Sequence, residues 1–296
     1  MGITNTAAVS NEILPIYAVE AILQAQANFV FRRFVDYKFQ ASRQAGDTMR
    51  FWKRSNIGGG GALGEAEPVP TQSLSSTTVD VVMTEYGNSV ALTRKAAETD
   101  IFDLIFHASL QLGRNYSLIL DSAIRDTYLA TANEQYAGGA ASEATIGSAG
   151  VLNTTEIKDA VETLKTLNVP PVTIRGREEY ISIIHPHQAR TIKDDPRWIN
   201  AANYGAPLQL FTGELGRFEN VTFIETTQMP VVTGVNSLPT YHGLIFGDRA
   251  VAMGERVPFE LIADQPQDLG RSQRLGWYSI MGFKILNDYI VELVTV

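Results

Sequence analysis

The chain has 296 residues, 45% of them hydrophobic and 19% charged, which is apolar material for a sizeable core but more length than one compact domain usually holds. A formal net charge of −8 argues against a DNA reader or a membrane-surface binder, because the field of the whole chain repels polyanions. With no cysteine, disulfides and thiolate metal sites are excluded, so stability has to come from packing.

The opening MGITNTAAVSNEILP has neither a basic n-region nor a continuous apolar h-region, and no apolar run approaches the ~18 residues of a membrane helix. A soluble protein made in a cytoplasm is therefore expected, and the sequons at Asn115, Asn153 and Asn220 are expected to be chance matches. From Ile13 to Phe39 apolar residues recur at helical spacing behind Pro15, which predicts an N-terminal arm leading into a helix. The segment Asp47 to Ile57 (DTMRFWKRSNI) is strand-like, with Arg50, Lys53 and Arg54 interleaved with Phe51 and Trp52. A half-exposed strand with a solvated basic face accounts for that pattern better than a stacking platform for nucleic acid, because it is short and the chain is acidic.

Gly58 to Gly61, Pro68 and Pro70 then precede a β-rich run from Thr77 to Thr93, and together these predict a long hairpin with a flexible tip. An eleven-residue outgoing strand would reach roughly 36 Å. Two strands alone are marginal in water, so the ribbon needs a surface to lie on. Capped by Thr99 or Asp100, a 3.6-residue rhythm runs through Ile101, Leu104, Leu112, Tyr116 and Ile124 to about Ala132, with Gly113 as a candidate interruption. Ala137 to Gly150 reads as a linker, with a domain boundary near Gly150.

Val151 to Pro239 reads as a separate α/β unit. Its expected parts are a helix capped at Asn153 or Thr154 and stopped by Pro170-Pro171, a buried strand at Tyr180 to Ile184, a helix over Pro186 to Lys193, and a strand at Val221 to Ile224. Leu244 to Phe246 and Val251 to Met253 are further strands, and Leu275 to Val296 reads as two strands joined at Asn287-Asp288, with the C-terminus tied into a sheet.

Sites of chemistry are hard to find. Gly58 to Gly61 is followed by Ala62-Leu63-Gly64-Glu65 and not by the Lys and Ser/Thr of a phosphate loop. His185 and His187, beside Asp194 and Asp195, straddle Pro186 at a spacing that does not place both imidazoles on one helix face, so metal binding is not expected. Glu65 with Glu67, and Glu178 with Glu179, are carboxylates of the sort carried by any solvated loop. No catalytic, cofactor-binding or metal-binding residue is assigned, and no cofactor.

An N-terminal arm, a projecting hairpin, a long helix, an α/β lobe and a return to the first body by the last strands resemble the major capsid proteins of tailed bacteriophages. Local wording agrees: Leu63-Gly64-Glu65 with Pro68, then Thr78 to Met83, Tyr86-Gly87 and Leu92-Thr93, resembles that family's extended-loop hairpin. Ile184-His185-Pro186 followed by Ile192 to Trp198 and Tyr204 is similar to its axial-domain helix, and Gly213 to Glu225 and Leu244 to Asp248 are similar to its later turns and strands.

The resemblance implies an α+β Hong Kong 97-like capsid fold. Its implied parts are an N-terminal arm (1–28), a peripheral domain with a spine helix (29–46, 94–150 and 250–296), an extended loop (47–93) and an axial domain (151–249). It implies a non-enzymatic protein that assembles with itself, as pentamers and hexamers, into an icosahedral or prolate virion shell around double-stranded DNA touched only nonspecifically. It also implies assembly in the host bacterial cytoplasm, no membrane, and scaffolding, portal and decoration proteins as further partners. Without a long charged N-terminal helical segment, any scaffold is expected to be a separate protein. The alternatives are an encapsulin-like nanocompartment shell and a two-domain cytoplasmic hydrolase or transferase.

Overall fold

The computed structural model describes residues 21, 29–40, 46–54, 58–59, 61–62, 69, 71–100, 103–174, 176–198, 217–233 and 238–296. The expected helix from Ile13 to Phe39 lies largely outside them; Ala21 is helical, and from Phe29 on the chain is not α-helical. Phe31–Phe34 is one 3-10 turn, followed by strand β1 (Asp36–Phe39). The cause is Asp121, whose buried carboxylate accepts the backbone N–H groups of Val30, Phe31 and Arg32 at 2.8, 3.0 and 3.2 Å. A helix arriving from upstream would need those donors for its own i→i−4 bonds.

Strand β2 (Thr48–Arg54) pairs antiparallel with β3 (Ser76–Val82) as a two-stranded ribbon. The β-rich run does not continue along it. It breaks at Met83, and β4 (Thr84–Thr93) crosses to another sheet.

The expected helix starts later than its rhythm suggested, and a short helix precedes it. Thr93 caps α1 (Arg94–Thr99), the backbone turns extended at Asp100, and Asp103 caps α2 (Leu104–Leu129) through the N–H groups of Ile105 and Phe106. At 26 residues α2 is roughly 39 Å long, shorter than the 33-residue reading but still well above an average helix. Gly113 does not interrupt it. A Cβ there would stand 2.2 Å from the carbonyl oxygen of Ala21, so the glycine admits the close approach of that residue.

Ala137 to Gly150 is not a loose linker. After β5 (Glu134–Tyr136), 3-10 turns at Ala137–Gly139 and Glu143–Thr145 are tied down. Gly138 N–H donates to Glu156 (2.9 Å), Thr240 Oγ1 donates to Glu143 (2.6 Å), and Val296 N–H donates to the Gly150 carbonyl (2.8 Å).

The remaining elements follow the sequence reading closely in kind. They are α3 (Thr154–Thr166, capped by Asn153), β6 (Val172–Ile174), β7 (Arg177–Ile184), α4 (Pro186–Lys193), β8 (Arg217–Phe218), β9 (Val221–Glu225), β10 (Val231–Thr233) and β11 (Pro239–Phe246). The last three are β12 (Val251–Ala263), β13 (Ser272–Ile285) and β14 (Ile290–Thr295). A four-stranded sheet has the order β1-β12-β13-β4, and an eight-stranded sheet runs β5-β14-β11-β7-β9-β8 with β10 and β6 attached.

The two C-terminal strands therefore join different sheets and not each other. Residues 250–296 do not return as one piece to the first body, because β14 completes the lobe sheet between β11 and β5. Nor is the lobe separate. Period-2 alternation sends Tyr180, Ile184, Ile245 and Val291 against Ile157, Val161 and Leu164 of α3. It sends Ile181, Ile183, Leu244 and Phe246 to the opposite face, into one cluster with Leu120, Ile124 and Tyr128 of α2 and Val251 and Met253 of β12. Both faces of the central strands are buried, so lobe and body share a core.

Candidate functional site

The projecting ribbon is built by strict alternation. Met49 and Phe51 on β2, with Val81 and Met83, turn inward onto Ala252 and Leu286 and form a third small apolar cluster. Trp52, 66% exposed, and Val82 turn outward. Arg50 and Asp80, paired across the two strands, meet in a two-bond ion pair (2.7 and 3.0 Å). The guanidinium of Arg50 holds the Asp80 carboxyl below the usual carboxylate range.

Three cations of the body bind backbone carbonyls of the ribbon and its approach. Lys38 Nζ donates to Arg50 O (3.0 Å), Lys284 Nζ to Asp80 O (3.2 Å) and Arg256 Nη1 to Gly46 O (2.7 Å). The ribbon thus rests on its own subunit by one face and presents the other. Of the tip, Gly58, Gly59 and Gly61 are described and irregular, and the Leu63-Gly64-Glu65 and Pro68 wording lies outside the described residues.

A second projection is the β12–β13 hairpin. Its inner half is flanked by β1, its outer half carries only β4, and Leu269 at its turn is 99% exposed with a φ of 57°. Tyr37 and Phe39 on β1, Val90 on β4 and Ile262 on β12 are also exposed, so apolar side chains line this sheet from one edge strand to the other. Exposed apolar area with open strand edges is the character of an interaction surface.

The residues weighed for chemistry are engaged in structure. His185 Nδ1 accepts the His187 N–H at the start of α4; the His187 ring stacks on Tyr241 at 4.3 Å between centroids, and the His185 ring lies tilted against it at 5.0 Å. Desolvation, then the neighbouring His187, holds His185 below its ordinary pKa. Asp194 ends α4, while Asp195 caps α3 through Thr154 N (2.9 Å) and Oγ1 (2.8 Å) and also takes Arg197 N–H (2.8 Å). Glu178 and Glu179 are not an exposed pair. Glu179 is buried against Arg217 (2.9 Å) and Thr222, because β7 runs through the middle of a sheet.

Glu65 and Glu67 lie outside the described residues, and among the described residues no His/Asp/Glu group is placed to hold a metal ion. In a cleft of about 540 Å³, Asn153 and Asp195 are committed to capping α3. Of the three sequon asparagines, Asn115 accepts from Trp277 (3.1 Å) and Asn153 caps α3. No described helix is long and apolar enough to cross a membrane.

Sequence reasoning missed Lys38, Asp80, Arg256 and Lys284, whose roles depend on partners far along the chain. It also stopped β12 at Met253, although Val257, Phe259, Leu261 and Ala263 alternate as a strand should. Pro258, which lacks a backbone N–H, is tolerated within this strand. Its missing N–H costs nothing here, because β1 ends opposite Glu255 and a bulge falls between Val257 and Glu260.

A family model described as phage capsid protein matches residues 76–290. No curated protein matches the chain in sequence. Among solved structures, the chain is similar to the capsid of Ralstonia phage GP4, with a TM-score of 0.72 at 18% identity over 88% of this chain and 86% of that one. The capsid of the cyanophage P-SCSP1u superposes with a TM-score of 0.70 at 14% identity (90% and 88%), and that of Helicobacter pylori bacteriophage KHP30 with 0.65 at 14% (88% and 87%).

Proposed function

The chain belongs to the phage capsid protein family, and from that premise we propose how its parts make a shell. It is a major capsid protein, a structural subunit of a bacteriophage virion with the Hong Kong 97-like α+β fold. We assign 47–83 to the extended arm and 29–46, 84–133 and 250–289 to the peripheral part around α2. The axial lobe takes 134–249 with 290–296, and 1–28 is the N-terminal arm. These boundaries differ from those the resemblance implies after Met83, before β5 and at β14, because strand pairing changes sheet at those points.

The observation that carries the reading is the two-faced ribbon. Its inner face is already buried on its own sheet, so the exposed Trp52 and Val82 are left for the adjacent subunit. Such a contact joins unlike surfaces, and heterologous contacts that close by rotation give rings. In this reading lobes meet as pentamers and hexamers, and the rings close into a tailed phage's icosahedral or prolate shell. Its acidic balance leaves packaged double-stranded DNA loosely held by nonspecific contacts. Assembly takes place in the host bacterial cytoplasm, without a membrane, and a separate scaffolding protein, a portal and decoration proteins are the further partners. The protein acts by assembling and not by catalysis, consistent with cleft groups committed to capping.

Electron microscopy and sedimentation of the protein, expressed alone and with neighbouring phage genes, test this. Hollow particles or rings are the expected result. A compact monomer or dimer under every condition would sink it, and an enzyme cargo in place of DNA inside native particles would favour the nanocompartment reading.

A further inference from the structure

The ribbon leaves the body over a bare patch of sheet. Gly254 on β12 and Gly282 on β13 are direct cross-strand partners, and directly opposed residues of an antiparallel pair present their side-chain positions to the same face. On that face lies the base of the ribbon. A Cβ on Gly282 would stand 2.1 Å from the Val82 carbonyl oxygen and 2.9 Å from Val81 Cγ1. A Cβ on Gly254 would stand 2.4 Å from Met83 Cε and 3.0 Å from Met49 Sδ. Immediately beyond, Thr84 pairs with Met281 and the chain enters the four-stranded sheet. The pair therefore lies beneath the point where ribbon becomes body.

We infer that Gly254 and Gly282 are positioning residues for assembly, a side-chain-free seat that sets the angle at which the arm leaves its subunit. The contact at Gly282 is with backbone, which no rotamer change relieves, so a methyl group there has to lift Val82 and tilt the ribbon. At Gly254 the obstacle is mostly the ends of two methionines, which yield, so the same substitution has a smaller effect in the same direction. In a shell, a tilt at the base is multiplied along the arm and alters the angle between neighbouring tiles. The inference rests on the reading that the arm reaches a neighbour.

Gly276 supplies the control. It lies on the same strand and is also crowded, though less tightly, with a Cβ meeting Ser89 Cβ at 2.8 Å and Asn88 O at 2.9 Å, and its neighbours belong to β4 within the body sheet. Since the chain has no cysteine, cysteines placed at the exposed positions Thr78 on the arm and Glu260 on the body can carry spin labels. Pulsed electron resonance then reads the arm angle in the free subunit, and microscopy reads particle diameter.

The expected result for Gly282→Ala is a folded subunit with a shifted label distance and a loss of wild-type-diameter particles, while Gly276→Ala leaves both readings unchanged. Unchanged distance and diameter in Gly282→Ala overturn the inference, as do equal changes in the two variants. If Gly282→Ala does not fold, Gly254→Ala is read in its place, and an unchanged label distance in that folded variant overturns the seat. If the wild-type protein forms no shell, the shell reading fails while the label distance still decides the seat.

Discussion

Asp121 is fully buried on α2 and holds three backbone N–H groups of the turn at Val30 to Arg32. Burial pushes its pKa up, against the pull of those bonds, so the folded state binds its proton more readily than the unfolded chain. Its contribution to stability therefore falls as pH rises from the ordinary carboxylate range through the raised value. Asp121→Ala strands three donors and is expected to cost about 3 kcal/mol, read as a lower urea midpoint at unchanged slope.

Asp195 behaves oppositely. Desolvation is its largest single influence, but the bonds from Thr154 and Arg197 and the Arg197 charge together outweigh it and hold the pKa below the usual value. Its contribution is complete above the ordinary carboxylate range and lost as pH falls through the depressed value. Asp195→Asn is expected to cost about 1 kcal/mol at pH 7 and to flatten the acid limb of stability against pH. A thermal-melt series from pH 7 to 3 checks the slope, and an unaltered acid limb would remove Asp195 from the account.

The paired base of the ribbon belongs to the subunit. Met49, Phe51, Val81 and Met83 are buried in the base, so cutting there would expose the cluster over Ala252 and Leu286. The distal part, 57–75, lies beyond the last paired residues, Arg54 and Ser76. Replacing 57–75 by a short Gly/Ser turn is expected to leave a near-native circular dichroism spectrum and a cooperative melt, because lengthening or shortening a loop changes closure entropy slowly. Particles are expected to be lost. Wild-type particles from this deletion, or a molten subunit, would each contradict the arm.

Across the whole molecule, repulsion between copies carrying a net charge of −8 opposes the burial of exposed apolar side chains such as Tyr37, Phe39 and Leu269. Salt screens the repulsion and leaves the apolar gain largely intact, the screening length falling from roughly 10 Å at 0.1 M to 3 Å at 1 M. Raising NaCl from 0.1 to 1 M is therefore expected to lower the protein concentration at which particles appear in light scattering. A rise in that concentration would mean that salt-sensitive ion pairs, and not apolar burial, dominate the contacts between subunits.

Sequence alone determined the local devices. Asn153 as a cap, Pro186 opening a helix that ends at Lys193, and the alternation of DTMRFWKR could be read because each signal and its partner lie within a few residues. The capsid resemblance followed from the order of such parts. What tertiary structure decided is partnership at a distance. From Phe29 on, the helix signal lost to a carboxylate 90 residues away, the run Thr77 to Thr93 was split because its halves found different sheets, and β13 and β14 parted for the same reason. Period-2 alternation states that a strand has two faces but not which strand lies beside it, and the backbone bonds that settle pairing are chemically alike at every residue. The selection falls to side-chain fit in the assembled core, where a bare pair such as Gly254 and Gly282 matters through what it lets approach.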